Sequence, residues 1–330
     1  MGKKSSKASL ILAADIHFND FPRFPDMFGH QRESFNDIVE IASDRSAPLV
    51  LLGDTLDPRH GSISAKVLDP VCDLFQEAGT RFMGYGSTLT VLRGNHGRGS
   101  LGTEDHLEAP LGMIGGIQAV AHPVVMSLCG FVGAFVPYTD SRDDFIKSVK
   151  YLNKEMESFP NTREPKLLFT HQGYKGAFVG PDEPGYAPGE AQGAWTLPPE
   201  LFKNFEHIFT GHYHKHQTIY IGDTPVTYVG SPIQHNFGDE GQPRGCVLVE
   251  WDGDSLNVTQ LRSDPKYPTF RKPKVTLESL PGLLKEDLSN AYLQPVIVDP
   301  NVTEQDVQAL KAYKVFPSIW EVYVQGTVRG

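Results

Sequence analysis

Short apolar runs that stop abruptly at polar residues recur along this chain. "SLILAAD" ends at Asp15, "PLVLLGD" at Asp54 and "TLTVLRGNH" at Asn95 and His96. "KLLFTH" ends at His171, and "HIFTGHYH" at His212 and His214. Runs this short, built from Leu, Ile, Val, Phe and Thr, read as buried strands. Helical spacing separates several of them. Phe35, Ile38, Val39 and Ala42 share one face over residues 31–45. Phe145, Val149, Leu152 and Met156 do the same over 141–158, behind Ser141 as N-cap. Residues 64–79 predict a third helix, broken in pattern by Pro70. Alternating strand and helix predicts an α/β core rich in parallel sheet, with its ligand site beyond the carboxyl ends of the strands. All five polar terminations fall at those ends.

The later chain changes period. "HQTIYIGDTPVTYVGS" predicts a hairpin turning at Gly222-Asp223, and "GCVLVEWDGDSLNVTQL" one turning at Asp252-Gly253. Residues 124–138 also predict paired strands. "SDPKYPTFRKPK", from Ser263, reads as a linker. Beyond it, "QPVIVD" and "IWEVYVQG" predict strands around a helix with Thr303 as N-cap and Val307 and Leu310 inward. The expected organisation is one domain over 1–263 and a small α+β domain over 264–330.

Composition narrows the picture a little. The 330 residues carry a net charge of −10, which argues against a protein that simply coats a polyanion. It leaves room for a nucleic-acid enzyme, because local patches and metal ions set the field at a site. Cys72, Cys129 and Cys246 are odd in number, widely spaced and set among apolar neighbours. They read as buried free thiols in a reducing compartment. No apolar run approaches the roughly 20 residues a membrane helix needs. "MGKKSSKASLILAAD" begins like a signal peptide but lacks a small-residue cleavage site. "MGKKSS" fits a myristoylation pattern loose enough to arise by chance.

The strand ends carry the chemistry. Asp15 and His17 are two apart, as are His212 and His214, so each pair can point to one side. Taken singly, an Asp-x-His or a Gly-Asp is commonplace. Five independent strand ends that all carry Asp, Asn or His are not explained by structure alone. Imidazoles, carboxylates and an amide without thiolates argue against a structural zinc site and suit divalent manganese, iron or zinc. The donors are too many for one ion and about right for two, with one carboxylate shared. Asp54, expected on a central strand, is the natural bridge.

The ordered blocks "DIHF", "GDTLD", "RGNHG", "THQG" and "TGHYH" resemble those of the calcineurin-like metallophosphoesterases over about residues 8–260. The resemblance implies a four-layer α/β/β/α sandwich. It implies Asp15, His17, Asp54 and His214 around one metal, and Asp54, Asn95, His171 and His212 around the other. His96 would lie outside both sets and protonate the leaving oxygen or stabilise the transition state. One departure stands out: the family usually has an acidic residue after the Asn-His pair, where this chain has Gly97. Glu104 or Asp105 is the expected substitute for orienting His96.

"YVGSPIQHNFGDEGQPRGCVLVEWDGD" resembles the SbcD-type DNA nuclease subunits and the T-even phage recombination nuclease subunit. Those also carry a small C-terminal capping domain. The implied activity is manganese-dependent cleavage of DNA ends and single strands, in recombination and repair, with magnesium, iron or zinc as other candidate ions. The implied partners are DNA and an SMC-like ATPase of the SbcC type, with a homodimer as a further expectation and no membrane. The implied setting is a bacterial or phage-infected host cytoplasm. Ending at Gly330, the chain is expected to contact the ATPase less extensively than longer SbcD chains, differently, or not at all. Arg93, Arg98, Arg142 and the stretch Lys266 to Lys274 are candidate DNA contacts, and His60 and His235 candidate cleft residues. His216 has no spacing argument. A phosphomonoesterase or cyclic-nucleotide phosphodiesterase on the same fold is the alternative. A scaffold that has lost its chemistry is a third reading, which the complete ligand set opposes.

Overall fold

The computed structural model describes residues 8–20, 24, 26–58, 62–97, 106–158, 163–179, 189–190, 194–263, 266–283, 291–298, 301–306 and 323–324. They divide into two compact units. The first takes in the described residues up to Ile233 together with Pro243–Ser263, and the second takes Gln234–Gln242 and the chain beyond Asp264.

The first unit is built on two six-stranded sheets. In one, β1 (Ala8–Ala13), β2 (Leu49–Leu51), β3 (Leu89–Leu92) and β4 (Ile117–Val120) run parallel. β13 (Gly245–Trp251) and β14 (Leu256–Arg262) extend the sheet antiparallel beside β1. In the other, β6 (Val132–Val136), β7 (Lys166–Thr170), β10 (His207–Thr210) and β12 (Thr224–Tyr228) run parallel. β5 (Val124–Ser127) and β11 (Gln217–Ile221) close its two edges antiparallel. A short hairpin pairs β8 (Phe178–Val179) with β9 (Gly189–Glu190).

The strands are apolar on both faces because both faces are covered. Along β1, Leu10 and Leu12 point between the sheets, while Ile11 and Ala13 point the other way. The same period of two sends Phe135 and Phe169 between the sheets and Ala134 and Leu168 outward. Helices α1 (Met27–Asp44) and α2 (Ala65–Gly84) bury Phe35, Ile38, Val71 and Phe75 against the first sheet. Helix α3 (Arg142–Ser158) buries Phe145, Val149, Leu152 and Met156 against the second. The result is a four-layer α/β/β/α sandwich. Ser141 caps α3, accepting the amide of Asp144 on its hydroxyl at 3.2 Å. The second helix continues through Pro70, whose missing N–H removes one bond while the apolar stripe on either side stays buried.

The second unit is α+β. It pairs β15 (Thr269–Arg271) with β17 (Ala291–Leu293), and β16 (Lys274–Val275) with β18 (Val296–Ile297) and β19 (Tyr323–Val324). A single-turn helix, α4 (Leu280–Leu283), packs its leucines with Val275, Ile297 and Val302. The stretch from Ser263 reads from sequence as a linker, but its described residues 266–274 are part of this unit. Phe270 is fully buried, edge-on to Phe237 at 5.0 Å and beside Tyr292 at 4.9 Å. Thr303 and Asp306 exchange side-chain and backbone hydrogen bonds as a helix start, but Val307 and Leu310 lie outside the described residues. The thiols also differ from expectation. Cys246 is buried, Cys72 is half-buried and Cys129 is exposed. Cys129 sits in the turn between β5 and β6 at a φ of 45°, a position chosen by turn geometry and not by burial.

Phe169 lies at the centre of the inter-sheet layer, stacked 4.7 Å from Phe135 and 6.0 Å from Phe209. Phe169→Ala should therefore lower stability by about 3–5 kcal/mol in chemical denaturation. A cost near zero would mean that the two sheets do not share this core.

Candidate metal centre

The chain turns sharply where each parallel strand ends. Among described residues other than glycine, positive φ occurs at six positions, and four of them carry expected ligands: Asp15 at 54°, His17 at 55°, Asp54 at 48° and His212 at 87°. Left-handed backbone at such residues costs about 1–3 kcal/mol each and persists only where the surroundings impose it. They do so here. His17 and Phe18 donate their amides to the carbonyls of Asp54 and Thr55, at 2.9 Å each. Gln31, fully buried on α1, donates to the His17 carbonyl at 2.6 Å and accepts the Asn19 amide at 3.2 Å. Gly53 holds φ at 90°, and a Cβ there would run into the His171 ring.

The strand ends bring their donors together from both sheets. The ligand atoms of Asp15, His17 and His214 lie within 4.8 Å of one another, as do those of Asp54, His171 and His212. His171 Nε2 is 3.1 Å from Asp54 Oδ2 and 2.9 Å from Asn95 Oδ1, and His212 Nδ1 is 2.8 Å from the same Asn95 oxygen. His17 Nε2 meets His214 Nε2 at 3.1 Å and stands 4.0 Å from Asp54 Oδ2. Asp54 thus borders both groups. Asp15 accepts the His212 amide on both oxygens, at 3.1 and 3.2 Å.

This donor set fits divalent cations. His171 Nδ1 is 2.6 Å from the Leu52 carbonyl, which can only accept, so that nitrogen carries the proton. Nε2 then faces the Asp54 and Asn95 oxygens, with room for either a proton or a metal cation on its lone pair. Two imidazole nitrogens likewise face each other at His17 and His214. Such convergence needs a proton or a metal cation between the atoms. Without a metal, the titrations show the same pull. Burial would depress His171, but the Asp54 carboxylate overrides it and raises the pKa to about 9. Asp54 is held far below the usual carboxylate range despite its burial, by His171 first and then His17. Burial, reinforced by His171, drops His212 to about 3, leaving a neutral donor. Burial raises Asp15.

His96 stands at the mouth of this cluster. Its ring is edge-on to His17 at 4.7 Å, its side chain is 42% exposed, and its amide donates to Asp54 Oδ1 at 2.8 Å. Nε2 lies 3.9 Å from Asp54 Oδ2, and Nδ1 is 2.7 Å from Asp57 Oδ1, a hydrogen bond that raises the His96 pKa. Asp57 is therefore the acid that orients His96. Glu104 and Asp105, the expected substitutes, lie outside the described residues. The sequence signal for it is the second Asp of "GDTLD", to which strand-end spacing assigns no role. Gly97 also has a structural reason. A Cβ there would fall on the carboxylate of Glu108, which is fully buried beside His106 at 3.4 Å.

Sequence reasoning also missed the clamp on the histidine loop. The His214 carbonyl accepts from the Ser231 amide at 3.0 Å and from the Arg244 guanidinium, and Arg244 donates to Ser231 Oγ at 2.7 Å. Arg93 donates to the Tyr138 carbonyl at 3.1 Å, and the Tyr138 ring lies 5.9 Å from that of His212. Arg142 donates to the Thr196 carbonyl at 3.2 and 3.1 Å, which ties down α3. His216 Nδ1 meets the Val229 carbonyl at 3.2 Å and is not among the clustered donors. His235 belongs to the second unit, where it is 5% exposed and its amide donates to Asp239 at 2.8 Å. Arg98 and His60 lie outside the described residues.

Asp54→Asn should lose bound metal and activity together while the chain still folds, read by elemental analysis and circular dichroism; full metal content would remove Asp54 from the bridging position. Gly97→Ala should lower the melting temperature and the turnover, because the fully buried Glu108 carboxylate would have to shift. An unchanged melting temperature would show that the carboxylate moves freely.

No family model matches the chain. It is 28% identical over 219 residues to SbcD of the SbcCD nuclease from Bacillus subtilis (strain 168), across 66% of this chain and 50% of that one. The match thus spans about half the length of this curated relative. Among solved structures, purple acid phosphatase PPD1 from yellow lupin seeds superposes with a TM-score of 0.48 at 12% identity, over 78% of this chain and 52% of that one. GAP50, the anchor in the inner membrane complex of Plasmodium, gives 0.48 at 11%, over 78% and 85%. No helix among the described residues is long and apolar enough to cross a membrane. In architecture and in the order of its motifs the chain has a calcineurin-like metallophosphoesterase fold, and its sequence is similar to the nuclease component SbcD.

Proposed function

We propose that this protein is a two-metal DNA nuclease that hydrolyses phosphodiesters at DNA ends and in single strands, in recombination and repair. The observation that carries the reading is the place of Asp54, clustered with His171 and His212 and also with His17 and His96, its Oδ2 4.0 Å from His17 Nε2. Asp15, His17, Asp54 and His214 would hold one ion, and Asp54, Asn95, His171 and His212 the other, with Mn2+ the best match to mixed imidazole and oxygen donors. Two ions at such a site supply an activated water and charge stabilisation for in-line displacement at phosphorus.

The protein's own groups do the rest. His171, fixed through Nδ1 by Leu52, cannot turn away from the cluster. His96, gripped through Nδ1 by Asp57, presents Nε2 to the leaving oxygen and donates a proton to it as the bond to phosphorus breaks. The similarity to SbcD of an SbcCD nuclease supports DNA as substrate, an SbcC-type ATPase as partner and a bacterial or phage-infected cytoplasm as the setting. Arg93, anchored at Tyr138, is the described basic residue nearest in sequence to His96 and a candidate phosphate contact.

The test is turnover of linear duplex DNA, with and without an SbcC-type partner, and of bis-p-nitrophenyl phosphate, in Mn2+. Cleavage of both is expected, with loss of both in chelator. His96→Ala should keep its metal content and lose about 10²–10⁴ in kcat on DNA, whose leaving oxygen needs the proton. Turnover of the small diester with none of any DNA would instead favour a phosphomonoesterase or cyclic-nucleotide phosphodiesterase.

A further inference from the structure

Behind the Asp57–His96 pair lies a buried amide that neither the motif blocks nor the metal chemistry requires. Asn19 is 2% exposed. Its Nδ2 donates to the Asp57 carbonyl at 2.7 Å and to Asp57 Oδ2 at 3.2 Å. Its orientation is fixed by chemistry: a flipped amide would press Oδ1 against two oxygens that can only accept. Asn19 Oδ1 has no hydrogen-bond partner among the described residues. A buried carbonyl without a partner is unfavourable, and an apolar side chain of the same shape would avoid it. The donor end must therefore be what holds this residue type in place.

Apart from the Asp57 carbonyl, the backbone here is held by other groups. Gln31 holds the Asn19 amide and the His17 carbonyl, Phe18 donates to Thr55, and Asp57 donates to Phe18 at 3.2 Å. What the Asn19 side chain adds is a two-point hold on Asp57, at its carbonyl and at one carboxylate oxygen. With Oδ2 held by Asn19, Oδ1 is left to His96 Nδ1 at 2.7 Å. Without Asn19, Asp57 could rotate about its last bond and swing Oδ2 toward His17 Nδ1, now 3.9 Å away.

We propose that Asn19 is a positioning residue for catalysis: by fixing the Asp57 carboxylate it aims His96 at the leaving-group oxygen, and it matters most when that oxygen leaves as a poor, strongly basic alkoxide or phenoxide. The inference rests on the proposed phosphoester hydrolysis with His96 as proton donor. Misaiming a proton donor by about 1 Å is enough to cost on the order of 10²-fold. Leaving groups that depart readily as anions do not need the proton and escape this loss. The sugar oxygen of a nucleic acid strand belongs to the demanding class.

The experiment uses methyl aryl phosphodiesters graded from p-nitrophenyl to unsubstituted phenyl, with Mn2+. Asn19→Leu, which keeps the shape and removes the donor, should lose on the order of 10²-fold in kcat on the phenyl ester and under about 3-fold on the p-nitrophenyl ester, at unchanged metal content. Asn19→Ser, too short to reach Asp57, should behave alike, and serves if the leucine variant does not fold. Adding Asn19→Leu to Asp57→Asn should cost nothing further, because both act on one imidazole. Equal losses on both esters, lost metal, or additive losses in the double variant would overturn the proposal. A readout independent of turnover is the downfield proton signal of the Asp57–His96 hydrogen bond. It should vanish in Asn19→Leu as it does in Asp57→Asn, and its persistence would also overturn the proposal. If the wild type turns over no ester at all, the proposed function fails, and this signal still decides the role of Asn19.

Discussion

Electron pairs that converge on one point repel, and this structure is organised around forcing them to converge. Asp54, Asn95, His171 and His212 bring a carboxylate, an amide oxygen and two imidazole nitrogens within hydrogen-bonding distances of one another. His17 and His214 do the same with two nitrogens. A fold that wanted only stability would not do this. The opposing forces are visible in the backbone, where His17, Asp54, His212 and the neighbouring Asp15 sit at positive φ, and in the clamps that hold them there. Gln31 grips the His17 turn, Leu52 grips His171, and Ser231 with Arg244 grips the loop at His214. A divalent cation converts the same arrangement from repulsion to coordination.

The clamps work only because the two sheets hold a fixed separation. Asp15, His17, Asp54 and Asn95 follow strands of one sheet, while His171, His212 and His214 follow strands of the other. Their mutual distances are therefore set by the layer between, where Phe135, Phe169 and Phe209 stack face to face against Leu10, Leu12, Val50 and Leu52. An interior packed like an organic crystal transmits such a distance without slack. Core volume in this unit is thus a catalytic variable as well as a stabilising one.

The strands and their polar terminations were legible in the sequence because both signals are local: a period of two, then Asp, Asn or His where the run stops. The pairing of these ends across two sheets was legible through motif order. What could not be read was any contact whose meaning depends on a third dimension. Asp57 stood in plain view in "GDTLD", yet only the turn after β2 brings it to His96, which follows β3. Glu108 beneath Gly97, and Arg244 on the carbonyl of His214, have no spacing signature at all. The stretch "SDPKYPTFRKPK" misled because proline and lysine dominate it, while the one residue that decides its fate, Phe270, is outnumbered in composition and decisive in packing.

Exposure across the centre has a direction. The His171 side chain is fully buried, Asp54 is 3% exposed, His17 6% and His96 42%. The buried end is closed by backbone: the Leu52 carbonyl behind His171, and Gly53 where a side chain would strike the ring. Of these four side chains His96, the proposed proton donor, is the most open to solvent. His96 is also the residue held least by packing and most by a single hydrogen bond, to Asp57. The innermost donors are rigid by burial, but the outermost must stay accessible, so its aim has to come from a directional bond anchored further back in the fold. Placing the carboxylate on the turn after β2, braced by the buried segment at Asn19, supplies that anchor without covering the imidazole.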